Sequence, residues 1–133
     1  MTETGRRPLV LIVEDEAVIR DVLSGALRDA GLDVFTVDMA QHALEAVQSR
    51  RPDIIVLDLG MPRGTMQGME FVVRLREEDD CKNLPVLILS GYGDIVNRDV
   101  TTRLGVRAVL SKPIADFAIL IDAIRAHLPP SAA

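Results

Sequence analysis

Five residues in this sequence are of types that can handle a phosphoryl group, and each follows or closes a short apolar run. Glu14 and Asp15 follow Leu9 to Val13, Asp58 follows Ile54 to Leu57, Ser90 follows Val86 to Leu89, and Lys112, with Pro113 behind it, follows Ala108 to Ser111. Three carboxylates brought together repel one another unless a cation neutralises them, and an all-oxygen donor set suits a hard divalent ion, with magnesium the natural candidate. A metal held by Asp15 and Asp58 would also cancel charge on an incoming phosphoryl group and let the Asp58 anion attack phosphorus. Lys112 would meet one phosphoryl oxygen and the Ser90 hydroxyl another, a site of single positioned residues rather than a glycine-rich cradle.

Taken one at a time these residues have plainer uses. An acid just after a strand commonly caps the next helix, as Glu14, Asp15 or Glu16 would. Asp58 alone would be a loop residue, Ser90 a turn former and Lys112 a solvated charge. The joint reading is preferred because all five fall on one edge of a sheet that the apolar pattern implies without them.

The run Leu9 to Val13 is short and β-branched, as a buried parallel strand should be, and it stops abruptly at Glu14-Asp15-Glu16. Beyond it, Ile19, Val22, Leu23, Ala26, Leu27 and Ala30 share one helical face, and Gly31 supplies a left-handed stop. Asp33 to Val37 predicts a second strand, and a helix with Ala40, Ala43, Leu44 and Val47 on one side ends before Pro52. Ile54 to Leu57 is the third strand, and a loop from Gly60 to Gly68 leads to a helix carrying Phe71, Val72 and Leu75. Pro85 precedes a fourth strand, Val86 to Leu89, and Asp94 is placed to cap a fourth helix lined by Val96, Val100 and Leu104 and ended by Gly105. Ala108 to Ser111 predicts a short fifth strand, and Phe117, Leu120, Ile121, Ile124 and Leu128 define a last helix. Five β/α units imply an α/β fold, a parallel sheet with helices on both faces, whose ligands bind at the carboxyl ends of the strands.

The chain of 133 residues is the size of one domain. We divide it into a polar leader (1–8), a domain (9–128) and a tail (129–133) that is either a natural terminus or the stump of a linker. A net charge of -5 without a Lys/Arg run argues against direct nucleic-acid binding. The apolar runs are strand-sized, too short to span a bilayer, and residues 1–10 lack a signal-peptide apolar region, so no membrane insertion and a cytoplasmic location are expected. Cys81 has no second cysteine to pair with and no catalytic His beside it, and His42 and His127 are expected in structural, solvated roles.

The stretches Leu11-Ile12-Val13-Glu14-Asp15-Glu16, Ile55-Val56-Leu57-Asp58-Leu59-Gly60-Met61-Pro62, Leu89-Ser90-Gly91 and Ser111-Lys112-Pro113 together resemble the response regulator receiver family, over about residues 8 to 128. The resemblance implies the flavodoxin-like strand order 2-1-3-4-5. It also implies that Asp58 is the phosphoacceptor, that Asp15 and Asp58 ligate magnesium directly, that Glu14 acts through water, and that Gly60 supplies its backbone carbonyl. Ser90 resembles the hydroxyl residue that swings toward the phosphoryl group, and Lys112 the lysine that pairs with it. The donor would be a histidine of a sensor histidine kinase or a histidine phosphotransfer protein, or a small molecule such as acetyl phosphate. Such a chain is not an enzyme beyond catalysing its own phosphorylation and dephosphorylation. It signals by phosphorylation-dependent binding to a downstream protein, as a monomer or a phosphorylation-dependent dimer. The alternative is a receiver fragment of a larger regulator.

Three departures from the family pattern bear on the readout. Val109 stands where most receivers have an aromatic residue, three positions before the lysine-proline pair, and Tyr92, the one tyrosine, is similar in placement to that of receivers lacking this aromatic; with Ser90 it is the candidate switch. The Gly60 to Gly68 loop is longer than usual, and Gly64 and Thr65 predict mobility. Gly60 and Gly91 place no side chain beside the phosphoryl group, so water should reach it. Output is expected through the fourth helix, fifth strand and fifth helix, where Arg98, Arg103 and Arg107 lie. An aspartyl-phosphate phosphatase of the haloacid dehalogenase type would want a second acid two residues after Asp58, where Gly60 stands. A binding module independent of phosphorylation would typically have lost the metal acids or the lysine, and all are present.

Overall fold

The computed structural model describes residues 6–62, 64–91, 96–114 and 116–130. Strands β1 (Leu9–Val13), β2 (Asp33–Val37), β3 (Ile54–Asp58), β4 (Val86–Ser90) and β5 (Val106–Ser111) form one parallel sheet in the order β2-β1-β3-β4-β5. Every residue of β1 and β3 is buried, which is why these strands are nearly continuous runs of Val, Ile and Leu rather than alternating ones.

Helices α1 (Ala17–Asp29) and α5 (Phe117–His127) cover one face, where Leu23, Leu27, Leu120 and Ile124 pack on Val10, Ile12, Val56 and Leu87. On the other face α2 (Ala40–Ser49) and α3 (Gly68–Glu77) bring Ala43, Val47, Phe71 and Leu75 against Leu11, Ile55 and Ile88. Each large side chain so buried contributes roughly 1.5–3 kcal/mol against the entropy of ordering the chain. Gly31, at φ +91°, ends α1 as expected and lets the Leu32 N–H reach back to the Leu27 carbonyl at 3.1 Å.

Several expectations need correction. Val22 does not belong to the packed face of α1, being 49% exposed, while the polar Ser24 is buried beside Leu23 and Leu27. Helix α4 (Arg98–Arg103) is only six residues long and starts after Val96. Its cap is Asn97, whose side chain accepts the Val100 N–H at 3.1 Å; the expected cap, Asp94, lies outside the described residues. A one-turn 3-10 helix, Asp79–Cys81, was not expected and buries Cys81. Strand β5 begins at Val106, two residues before the expected Ala108, and a register shift opposite Val86 and Leu87 separates Val106 and Ala108 into different core clusters. In the loop after β3, several described residues are joined by hydrogen bonds. The Thr65 hydroxyl donates to the Pro62 carbonyl at 2.6 Å, the Gln67 amide donates to the Pro62 and Thr65 carbonyls, and Gln41 of α2 accepts the Met66 N–H.

The α4–β5 corner is held from α3. The Arg76 guanidinium donates to the Leu104 carbonyl at 2.7 Å and, across the turn before β4, to those of Cys81 at 2.7 Å and Leu84 at 2.8 Å.

Candidate functional site

The register of the sheet sets the site. Val13 pairs with Leu57, Asp58 with Leu89, and Ser90 with Ser111, so Glu14, Asp58, Ser90 and Lys112 all reach the carboxyl edge together. Asp58 and Ser90 are the last residues of their strands rather than loop residues. The Leu59 N–H donates to the Leu89 carbonyl at 3.0 Å and the Lys112 N–H to the Ser90 carbonyl at 2.9 Å, which fixes the backbone on either side of each.

The Asp58 carboxylate is buried, and Lys112 Nζ donates to both its oxygens at 2.8 Å. The Gly60 N–H donates to Oδ1 at 2.8 Å. Carboxylate oxygens of Glu14, Asp15 and Asp58 lie within 4.8 Å of one another. Helix capping does not explain the acids between β1 and α1: Glu16 occupies the cap position of α1 but makes no side-chain cap bond. Glu14 Oε2 accepts the Glu16 N–H at 3.2 Å, and Glu14 Oε1 is, among the described residues, the one buried side-chain oxygen or nitrogen without a hydrogen-bond partner.

The electrostatics divide the acids by role. Burial pushes the Glu14 carboxyl up, and the neighbouring Asp58 and Asp15 carboxylates push it further, to about 8. Burial also works against the Asp58 anion, but the neighbouring Glu14 carboxyl, Lys112 and the Gly60 N–H outweigh it and hold Asp58 below the ordinary carboxylate range. The two shifts run in opposite directions, so within the cluster Glu14 holds a proton more readily than Asp58. The donor set fits a hard divalent cation: three clustered oxygen donors, one of them an orphaned buried oxygen whose burial is costly until a partner arrives.

Gly60 carries the access. A methyl group added there would stand 3.3 Å from Asp58 Oδ1 and 3.7 Å from Lys112 Nζ, over the groups that a phosphoryl donor must reach. Ser90 is half-buried at the end of β4, and Tyr92 lies outside the described residues. Val109 is 39% exposed, and Arg98, Arg103 and Arg107 are exposed. His42 pairs with Asp38 at 3.1 Å, both exposed. Two arginines that sequence reasoning passed over matter here and at the corner opposite, Arg20 and Arg76. Both bind backbone carbonyls, a use that leaves no signature in residue spacing.

A sequence model of the family described as "Response regulator receiver domain" matches residues 10–125. The chain is 39% identical over 104 residues to the KDP operon transcriptional regulatory protein KdpE of Escherichia coli, covering 78% of this chain and 44% of KdpE, so it spans less than half of that relative. It is 31% identical over 120 residues to sporulation initiation phosphotransferase F of Bacillus subtilis, covering 90% of this chain and 93% of the relative. The solved structure of the chemotaxis response regulator CheY4 of Vibrio cholerae matches with a TM-score of 0.81 at 31% identity, over 92% of this chain and all of that one.

Proposed function

The chain belongs to the response regulator receiver family, and on that premise we propose that it acts in a phosphorelay by accepting a phosphoryl group on Asp58. The observation that carries this reading is a buried carboxylate held anionic, bound on both oxygens by Lys112, beside two further acids. An Asp58 oxygen forms the bond to phosphorus while the bond from phosphorus to the donor breaks, the electron pair leaving with a histidine nitrogen or with acetate. Lys112 turns from the Asp58 carboxylate to a phosphoryl oxygen, and the Ser90 hydroxyl donates to another. Asp15 and Asp58 would hold magnesium, with the Gly60 carbonyl and, through water, Glu14; when bound, the ion offsets the negative charge gathered at the site.

The chain is thus a signalling protein rather than an enzyme acting on a separate substrate, and its chemistry is confined to its own phosphorylation and dephosphorylation. Its partners are a sensor histidine kinase or histidine phosphotransfer protein and a downstream protein target. No helix among the described residues is long and apolar enough to cross a membrane, and the site of action we propose is the cytoplasm. The exposed Val109 in place of an aromatic supports a readout that runs through Ser90 and Tyr92 instead. The test is intact-mass measurement after incubation with magnesium and acetyl phosphate. One phosphoryl adduct is expected on the wild-type chain and none on Asp58→Ala; no adduct with any donor, or an adduct that survives the substitution, overturns the assignment.

A further inference from the structure

Arg20 reaches back from the first turns of α1 to the backbone beneath the acidic pair. Its Nη1 donates to the Glu14 carbonyl at 2.9 Å and to the Asp15 carbonyl at 3.0 Å. The location is electrically poor for a cation, because the start of a helix carries partial positive charge and the first turn of α1 has no acidic residue to offset it. The two carbonyls are what compensate. One nitrogen shared by successive carbonyls fixes the peptide that joins Glu14 to Asp15, and with it the directions in which their side chains leave the backbone. The same turn is pinned before that peptide by the Glu14 N–H on the Val37 carbonyl at 3.1 Å, and after it by the Glu16 N–H on Glu14 Oε2.

We propose that Arg20 is a positioning residue for the divalent cation, holding the turn between β1 and α1 so that the Glu14 and Asp15 carboxylates face Asp58 before the ion arrives. The inference rests on the metal-binding reading given above. Positioning and charge make opposite demands, which renders the idea testable. By charge alone, a guanidinium beside an acidic cluster opposes entry of a cation, so its removal would tighten binding. As a holder of the ligand backbone, its removal loosens binding, and outer-shell partners of metal ligands typically change affinity by about 10–100-fold.

The experiment titrates manganese into the full chain and into Arg20→Met, following the free ion by electron paramagnetic resonance, with urea unfolding of each chain in the absence of metal. Expected is a loss in manganese affinity of about 10-fold or more in Arg20→Met with metal-free unfolding close to wild type. Arg20→Lys, which keeps the charge but ends one bond short of the carbonyls, is expected to lose affinity as well. That variant carries the same test if Arg20→Met does not fold. Affinity unchanged or increased in a folded variant overturns the role of Arg20 while leaving the metal site intact. Failure of the wild-type chain to bind manganese overturns the metal reading itself, and the positioning role with it.

Discussion

Ile55 of β3 and Val109 of β5 belong to the same face of one sheet, since Val109 is the register partner of Ile88, which packs in one cluster with Ile55. Ile55 is fully buried and Val109 is 39% exposed. The covering elements make the difference: α2 and α3 are ten residues each, α4 only six. The residues that hold the acids are thus mounted on the most deeply packed part of the molecule, and those that face α4 on the thinnest. A phosphoacceptor needs fixed geometry, because misplaced groups forfeit the advantage of pre-orientation, whereas a surface that answers to it needs alternatives of similar energy.

That contrast can be broken by measurement. In urea unfolding, Ile55→Ala is expected to cost about 2–5 kcal/mol, while Val109→Ala is expected to stay within about 0.5 kcal/mol; similar costs would remove the distinction between centre and edge. Next in size, Arg76→Met strips the Leu104, Cys81 and Leu84 carbonyls of their shared donor and is expected to cost about 1–3 kcal/mol. Amide hydrogen exchange is expected to rise most around α4 and the start of β5. Exchange that rises equally in β1 and β3 would mean the corner is not a separable region.

A further effect depends on pH. The folded, metal-free chain keeps a proton on Glu14 up to about 8, whereas the unfolded chain gives it up near the ordinary 4.5. The folded state binds more protons across that interval, so stability from this group is full below the lower value and declines as pH rises through the upper one. Glu14→Gln, neutral throughout, is expected to lack that decline when urea midpoints are compared at about pH 5 and about pH 8.5. The same decline in both chains would place the proton elsewhere.

The central half of the molecule was legible in the sequence because burial on both faces forces unbroken apolar runs, and each run ends at a residue of the candidate site. Strand order and the meeting of Glu14, Asp15, Asp58 and Lys112 follow from those runs and the family motifs. The edge was less legible. The cap of α4 is Asn97, three residues beyond the expected Asp94, and β5 starts two residues before the expected Ala108, across a register shift. Val22 looked like core because helical spacing alone does not say how wide the covered stripe is. Arg20 and Arg76 escaped notice for a different reason: an arginine bound to carbonyls is indistinguishable in sequence from one in water.

The bonds of Arg76 also have a mechanical meaning. They grip the carboxyl end of α4 at Leu104, while the other end, at Asn97, is joined to the segment that follows Ser90. A rearrangement of α4 that preserves this grip is a swing about one end and not a slide along the sheet. Over a helix of six residues, roughly 9 Å long, the displacement grows from almost nothing at the fulcrum to its largest value at Asn97. The short lever thus moves most at the end joined to the strand that carries Ser90 and least at Leu104.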